Sequence, residues 1–364
     1  MPLFTIERGT CHALYVYDVG ASIDLERLRL LLATGIKDTR LHHNRRAPKY
    51  FDYRPAPLAI VQDVQPPSVA AFGTSRGVEM QVYDFGCVSI TYRLPVTGGL
   101  ESLRELSCLL SEDNPLLPDS RLRVEELGHT VRSAVIKPHI ADLVEDYTVF
   151  QVEALREPLD VATLHETYGE ALAQMLRAER APLSLQETTD ALACRLSYGR
   201  DDVTFVDWNA AIVFDRDADD VRAVLEFANC ELLEMRHLDR QLDDALERAY
   251  ETMIRWHWWR RLIPGSSGAD IRKVSQMQMD GALVFERVTN APKLLGDQYL
   301  ARIYRLASQR FHLPEWDTTV LRKLEAIESI SQQMHDTASE HRMEILEWII
   351  ILLFVLEIVL SFWK

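Results

Sequence analysis

Glu231, Glu234 and His237 follow one another at intervals of three, and their side chains are the oxygen and nitrogen donors that a metal site needs. On a helix they share a face, because residues three or four apart are neighbours there. Glu234-Met-Arg-His237 has the Glu-x-x-His spacing found in di-iron carboxylate proteins. A centre of that kind needs a second such pair and two further carboxylates from facing helices. The other instance, Glu126-Leu-Gly-His129, lies in a different part of the chain, and with 11 histidines chance pairs are expected. Spacing alone therefore reads as a polar helix face. No metal, cofactor or catalytic residue is assigned from it. A metal-dependent enzyme using this helix-borne Glu/His pair stands as the second alternative reading.

Asp215, Asp217 and Asp219, with Glu226 in the twelfth place, imitate a calcium-binding loop. Such a loop needs glycine at its sixth position for the sharp turn, and Asp220 stands there. The acids are better placed to cap and complement the positive N-terminus of a helix. Phosphate-cradling glycine loops, His-Glu-x-x-His and Gly-x-Ser-x-Gly are absent from the sequence. Two basic stretches remain. Arg45 and Arg46 fall in the run 37–49, and Trp258, Arg260 and Arg261 fall in an aromatic-basic cluster at 255–261. Indoles interleaved with arginines suit a nucleobase or a lipid interface. An RNA- or ribosome-binding module at the membrane is accordingly the first alternative.

The elements that would position these residues fall into two regimes. Alternating apolar residues predict strands at 13–19, 147–155, 195–198 and 203–214. A hairpin is predicted for 78–83 and 87–94 around Asp84-Phe85-Gly86. Helical periodicity marks 25–33, 98–110, 122–135, 160–180 and 185–194. Strands and helices are interspersed without the strict alternation of a parallel sheet, so residues 1–215 read as an α+β domain. From Asp217 onward the pattern is helical throughout. Leu225, Leu232, Leu242 and Leu246 follow coiled-coil spacing, broken by Asp239, and form the expected seam of a homo-oligomer. Residues 216–344 thus read as a helical stalk, a long-helix bundle or coiled-coil hairpin.

A net charge of −15 argues against wholesale binding to nucleic acid or anionic lipid. Five scattered cysteines without a Cys-x-x-Cys pair suit reduced thiols and a cytoplasmic setting. The start of the chain shows neither a signal nor a transit peptide. Residues 345–364 are apolar and read as a C-terminal transmembrane helix. Residues 348–363 make about 24 Å of helix, against about 30 Å of hydrocarbon. Trp348 and Trp363 suit the two interfaces, Ile350, Leu353 and Leu356 the lipid, and Glu357 intrudes among them.

Several segments together resemble the Required for Meiotic Nuclear Division family. They are Asp207-Trp208-Asn209 with Ala210-Ala211, residues 225–246, residues 295–300, Trp316 with Lys323-Leu324-Glu325, and residues 343–360. The resemblance implies an α+β domain, then helices and one membrane span, with self-association and no catalytic residues. It also implies a role in organising or tethering translation machinery, as for the mitochondrial relative. Composition, pattern and resemblance lead to one expectation. The chain is a non-enzymatic, homo-oligomeric scaffold in the cytoplasmic (inner) membrane, contacting the lipid bilayer, with no cofactor and no small-molecule substrate.

Overall fold

The hairpin expected around Asp84-Phe85-Gly86 is present in the computed structural model, which describes residues 4–34, 41–43, 55–112, 114–157, 160–199, 202–259, 279, 281–282, 285–286 and 297–363. In chain order the elements are β1 (Ile6–Asp18), β2 (Ser22–Ile23), α1 (Leu25–Thr34), β3 (Leu41–His43), β4 (Leu58–Gln62), β5 (Val78–Val82) and β6 (Cys87–Gly98). Next come α2 (Leu100–Glu112), α3 (Leu116–Val131), β7 (Val135–Ile136), β8 (Val144–Leu155), α4 (Val161–Leu176), α5 (Leu185–Ala191) and β9 (Arg195–Leu196). The series ends with β10 (Val203–Val206), β11 (Ala210–Phe214), α6 (Asp219–Trp259), α7 (Gln298–Arg310) and α8 (Leu313–Phe362). Strands and helices alternate irregularly, which is the expected α+β class.

Nine strands form one sheet in the order β3-β4-β5-β6-β1-β8-β11-β10-β9. Every pairing is antiparallel except β8 with β11. The sheet is covered on both faces. Cys11, Ala13, Tyr15 and Tyr17 of β1 pack into a core with residues of α1 to α5. Leu14, from the opposite face, packs with Tyr147, Val213, Val221, Leu225, Leu300 and their neighbours from α6 and α7. Because successive strand side chains face opposite sides, β1 is buried almost continuously rather than at every second residue.

Local chemistry sets the element boundaries. Asp160 caps α4 by accepting from Thr163 N, Ser184 caps α5 through Glu187 N, and Asp297 caps α7 through Tyr299 N and Leu300 N. The single strand expected over 203–214 is two strands, because Asp207-Trp208-Asn209 makes a turn in which Asp207 N donates to Ala210 O. Asp207 is wholly buried and accepts from Arg177 Nε (3.0 Å) and from Arg310 (2.5 Å). Two arginines, one just past the end of α4 and one on α7, thereby fix that turn.

Contacts divide the chain into two units, 1–237 with 286–315, and 238–285 with 316–364. α6 runs through both, so the change of character read at Asp217 falls inside the first unit. Part of the expected oligomer seam is covered within the chain itself. Leu225 lies fully buried in the first unit's own core, and Leu232 packs against it. Within the second unit Leu242 is buried, Leu246 is half-buried, and Asp239 pairs with Lys323 Nζ of α8 at 2.6 Å. Lys323 also reaches Asp243 at 2.7 Å. The polar break in the stripe is thus met inside one chain.

The transmembrane helix expected over 345–364 is not found as such. Among the described residues no helix is long and apolar enough to cross a membrane. Glu347 and Glu357 bracket an uninterrupted apolar run, 348–356, that makes only about 14 Å of helix. Residues from Trp348 to Leu360 nevertheless lie on the surface of α8, the large apolar ones 48–70% exposed.

Candidate metal centre

β1 ends where an apolar strand meets its one buried acid, Asp18, 4% exposed. The turn that follows holds this carboxylate in place. Gly20 N donates to Asp18 Oδ1 at 2.9 Å, and Ala141 N donates to the Asp18 carbonyl at 2.9 Å. Gly86 supports the turn from behind by accepting from Val19 N. Gly86 has φ +107°, and a Cβ there would stand 1.8 Å from Gly20 O. Only glycine permits that approach.

Two imidazoles converge on Asp18 from distant parts of the sequence. His237, on α6, places Nε2 3.0 Å from Asp18 Oδ2. His139 follows the short strand β7 and places Nε2 3.5 Å from Asp18 Oδ1. The two rings stack at 5.7 Å with 26° between their planes. One donor atom from each of the three residues lies within 4.8 Å of the others.

The orientation of His139 has a cause. Its backbone N donates to Val19 O at 3.1 Å, and its Nδ1 lies 3.1 Å from Lys137 O, a left-handed residue at φ 51°. A carbonyl only accepts, so Nδ1 carries the proton and Nε2 is the atom presented to Asp18. A histidine whose Nδ1–H is held by a backbone carbonyl is the usual arrangement of a metal-ligating imidazole. Two lone pairs, one on Nε2 and one on a carboxylate oxygen, repel unless a cation stands between them. A proton or a metal ion satisfies that requirement.

Electrostatics agree with the need for positive charge. Burial raises the Asp18 carboxyl, but the hydrogen bonds and charge of His139 and His237 outweigh it and hold the group at about 2. The same contact raises His139 against partial burial. Glu234, one turn before His237, is 4% exposed, and its Oε1 has no hydrogen-bond partner. Burial, with the Asp18 charge adding to it, lifts the Glu234 carboxyl well above the carboxylate range. Behind it the thiols of Cys87 and Cys230 are fully buried and likewise raised by burial.

The sequence motifs meet different fates. Glu234-x-x-His237 contributes its histidine to the cluster, with Glu234 lying behind it. Glu126, of the second such pair, instead accepts from Gln62 Nε2 at 2.8 Å and from Arg123 at 3.0 Å. The calcium-like acids do not converge: Asp215 accepts from Asp217 N, Asp219 faces Arg222, and Glu226 is buried at 3% exposure. Arg45, Arg46, Arg260 and Arg261 lie outside the described residues, as does the side chain of Trp258. Asp18 and His139 carry no spacing motif. The one signal for Asp18 is a charged residue closing an apolar strand beside a glycine.

With the geometry in place, comparison with known proteins gives a consistent result. The family model described as "Uncharacterized protein MJ0711, N-terminal domain" matches residues 8–220. The uncharacterized protein MJ0711 of Methanocaldococcus jannaschii is 24% identical over 244 residues, covering 66% of this chain and 73% of that protein. No solved structure matches. These matches overturn the resemblance to the Required for Meiotic Nuclear Division family. That resemblance rested on 207–360, mostly helical segments whose apolar repeat is shared by unrelated long helices, whereas the family match covers the α+β unit.

Proposed function

The chain belongs to the MJ0711 N-terminal domain family, whose name assigns no activity, and we propose from its own geometry that it binds a divalent transition metal through Asp18, His139 and His237. Convergence of the three donor atoms within 4.8 Å carries this reading. Two imidazoles and one carboxylate suit first-row cations such as zinc, manganese, iron or cobalt. Three protein ligands leave coordination positions open, which is the arrangement of a reactive site rather than a purely structural one. Glu234 stands next to the ligands, its carboxyl raised by burial and by the Asp18 charge. The test is a titration of the full chain with cobalt(II), followed by absorbance and by elemental analysis after desalting. One bound equivalent is expected, with affinity lowered about 10- to 100-fold or more in His237→Ala and in Asp18→Asn. Equal retention by wild type and both variants refutes the site.

A second reading concerns the other unit and rests on the exposed apolar end of α8. A helix bare on all sides from Trp348 to Leu360 is covered in the cell, and a single partner helix covers only one stripe. Lipid covers every side. In this reading residues 348–363 enter the hydrocarbon of a membrane and the chain acts as a scaffold displaying its α+β unit. Glu357 opposes insertion by about 2.5–3.5 kcal/mol unless it is protonated or reaches the interface. Flotation with phosphatidylcholine vesicles tests it. Full-length protein is expected to float and a truncation lacking 348–364 to stay at the bottom; equal behaviour refutes it.

A further inference from the structure

Val19 and His139 border more than the cation cluster. They also form part of the wall of a cavity of about 150 Å³ between the sheet and α3. Its other walls are aliphatic, from Ile23, Val82, Val124, Leu127 and Val131 among others. The polar groups at its edge are Glu125, His129 and Arg132. Glu125 is engaged by Arg121 Nε at 3.0 Å. Protein interiors are otherwise close-packed, so an aliphatic space of this size is a feature to be explained. Enclosed cavities of comparable volume with a wholly apolar lining take up benzene; this one is half open and carries polar groups beside its aliphatic walls. Pockets for small ligands pair such an apolar body with a few polar groups that fix orientation.

Resting on the metal reading above, we propose that this cavity receives the hydrocarbon end of a small carboxylic acid whose carboxylate occupies an open position of the cation. The shared His139 sets the geometry: its Nε2 faces Asp18 and the same residue lines the cavity, so head group and tail are one residue apart. A cavity of this size suits a tail on the order of six carbon atoms. A carboxylate is the matching head, since it is a hard oxygen donor to a divalent cation and its charge is complemented by Arg132 at the rim.

The experiment compares acetate with hexanoate as ligands of the cobalt-loaded full chain, read by the visible cobalt spectrum. Hexanoate is expected to perturb the spectrum at about tenfold or more lower concentration than acetate, because each buried methylene strengthens binding several-fold. Gly128→Leu supplies the control. Gly128 lies on α3 in the cavity wall, a Cβ there meets only Ile140 Cδ1 at 3.8 Å, and replacing a helical glycine favours the helix. That variant is expected to bind cobalt and acetate as wild type does and to lose the advantage of hexanoate. Equal responses to acetate and hexanoate in wild type overturn the inference while leaving the metal site standing. An undiminished advantage in Gly128→Leu overturns it equally. Failure to bind cobalt overturns both readings, and uptake of benzene by the metal-free protein then shows only that the cavity is real.

Discussion

His237 Nε2 stands 3.0 Å from Asp18 Oδ2, joining the long helix α6 to the end of the first strand. The carboxylate is buried and the imidazole side chain is 20% exposed, so the pair sits where a cation is shielded from bulk water yet reachable. His139 closes the arrangement from a third element. The same contact positions α6 against the sheet, which gives the cluster a structural as well as a chemical role.

Metal binding is expected to stabilise the fold by linkage. A cation that binds only the folded chain adds about 2.7 kcal/mol at a free concentration 100 times its dissociation constant. Calorimetry with and without zinc should show a raised Tm that a chelator reverses. In His237→Ala the Tm should not respond to zinc, and a retained response counts against the ligand set.

Gly86→Ala is expected to destabilise the first unit by about 3 kcal/mol or more. The new Cβ meets a backbone oxygen that cannot swing aside, and φ +107° is unfavourable for alanine. Because Gly86 supports the turn that holds Asp18, cobalt affinity should fall with stability. Urea unfolding and the cobalt titration measure both, and a loss below about 0.5 kcal/mol contradicts the reading.

His12 predicts an acid-sensitive limb of stability. Burial first, then the charges of Arg222 and Arg93, hold its imidazole at about 3 against an ordinary 6.5, while the hydrogen bond that His12 Nε2 donates to Gln151 Oε1 works in the opposite direction. Glu79, the acid paired with both arginines, keeps them in place. Below pH 6.5 the unfolded chain takes up a proton that the folded chain refuses. The contribution is therefore complete above 6.5 and is lost as pH falls toward 3, by up to about 1.4 kcal/mol per unit. His12→Gln should flatten this limb in urea midpoints between pH 6.5 and 4; parallel curves would remove His12 as its source.

Asp239→Ala separates two roles for the polar break in the helical stripe. Its ion pair with Lys323 is partly buried, with side chains 16% and 18% exposed. Removing the acid is expected to cost about 1–2 kcal/mol, the neighbouring Asp243 retaining part of the interaction. The mass measured by light scattering should not change. A change in association state would return Asp239 to an intermolecular seam.

What the sequence determined by itself is the local structure. The hairpin at Gly86, the helices opening at Leu25 and Leu185, and the long helix beyond Asp217 follow from periodicity, caps and turn residues, which act between near neighbours. His237 was visible as a donor on a helix face. Its partners were not, because nothing in the spacing of Asp18 or His139 refers to a helix that begins 80 residues or more further along the chain. Packing decided that relation, by seating α6 on the end of β1. Tertiary structure also decided which side of the leucine stripe is satisfied. An apolar repeat specifies that a face must be covered, but the covering surface is chosen by shape and connectivity, and for Leu225 it is the chain's own sheet. The apolar end of α8 shows the converse: composition alone makes it hydrophobic, and the fold leaves it bare.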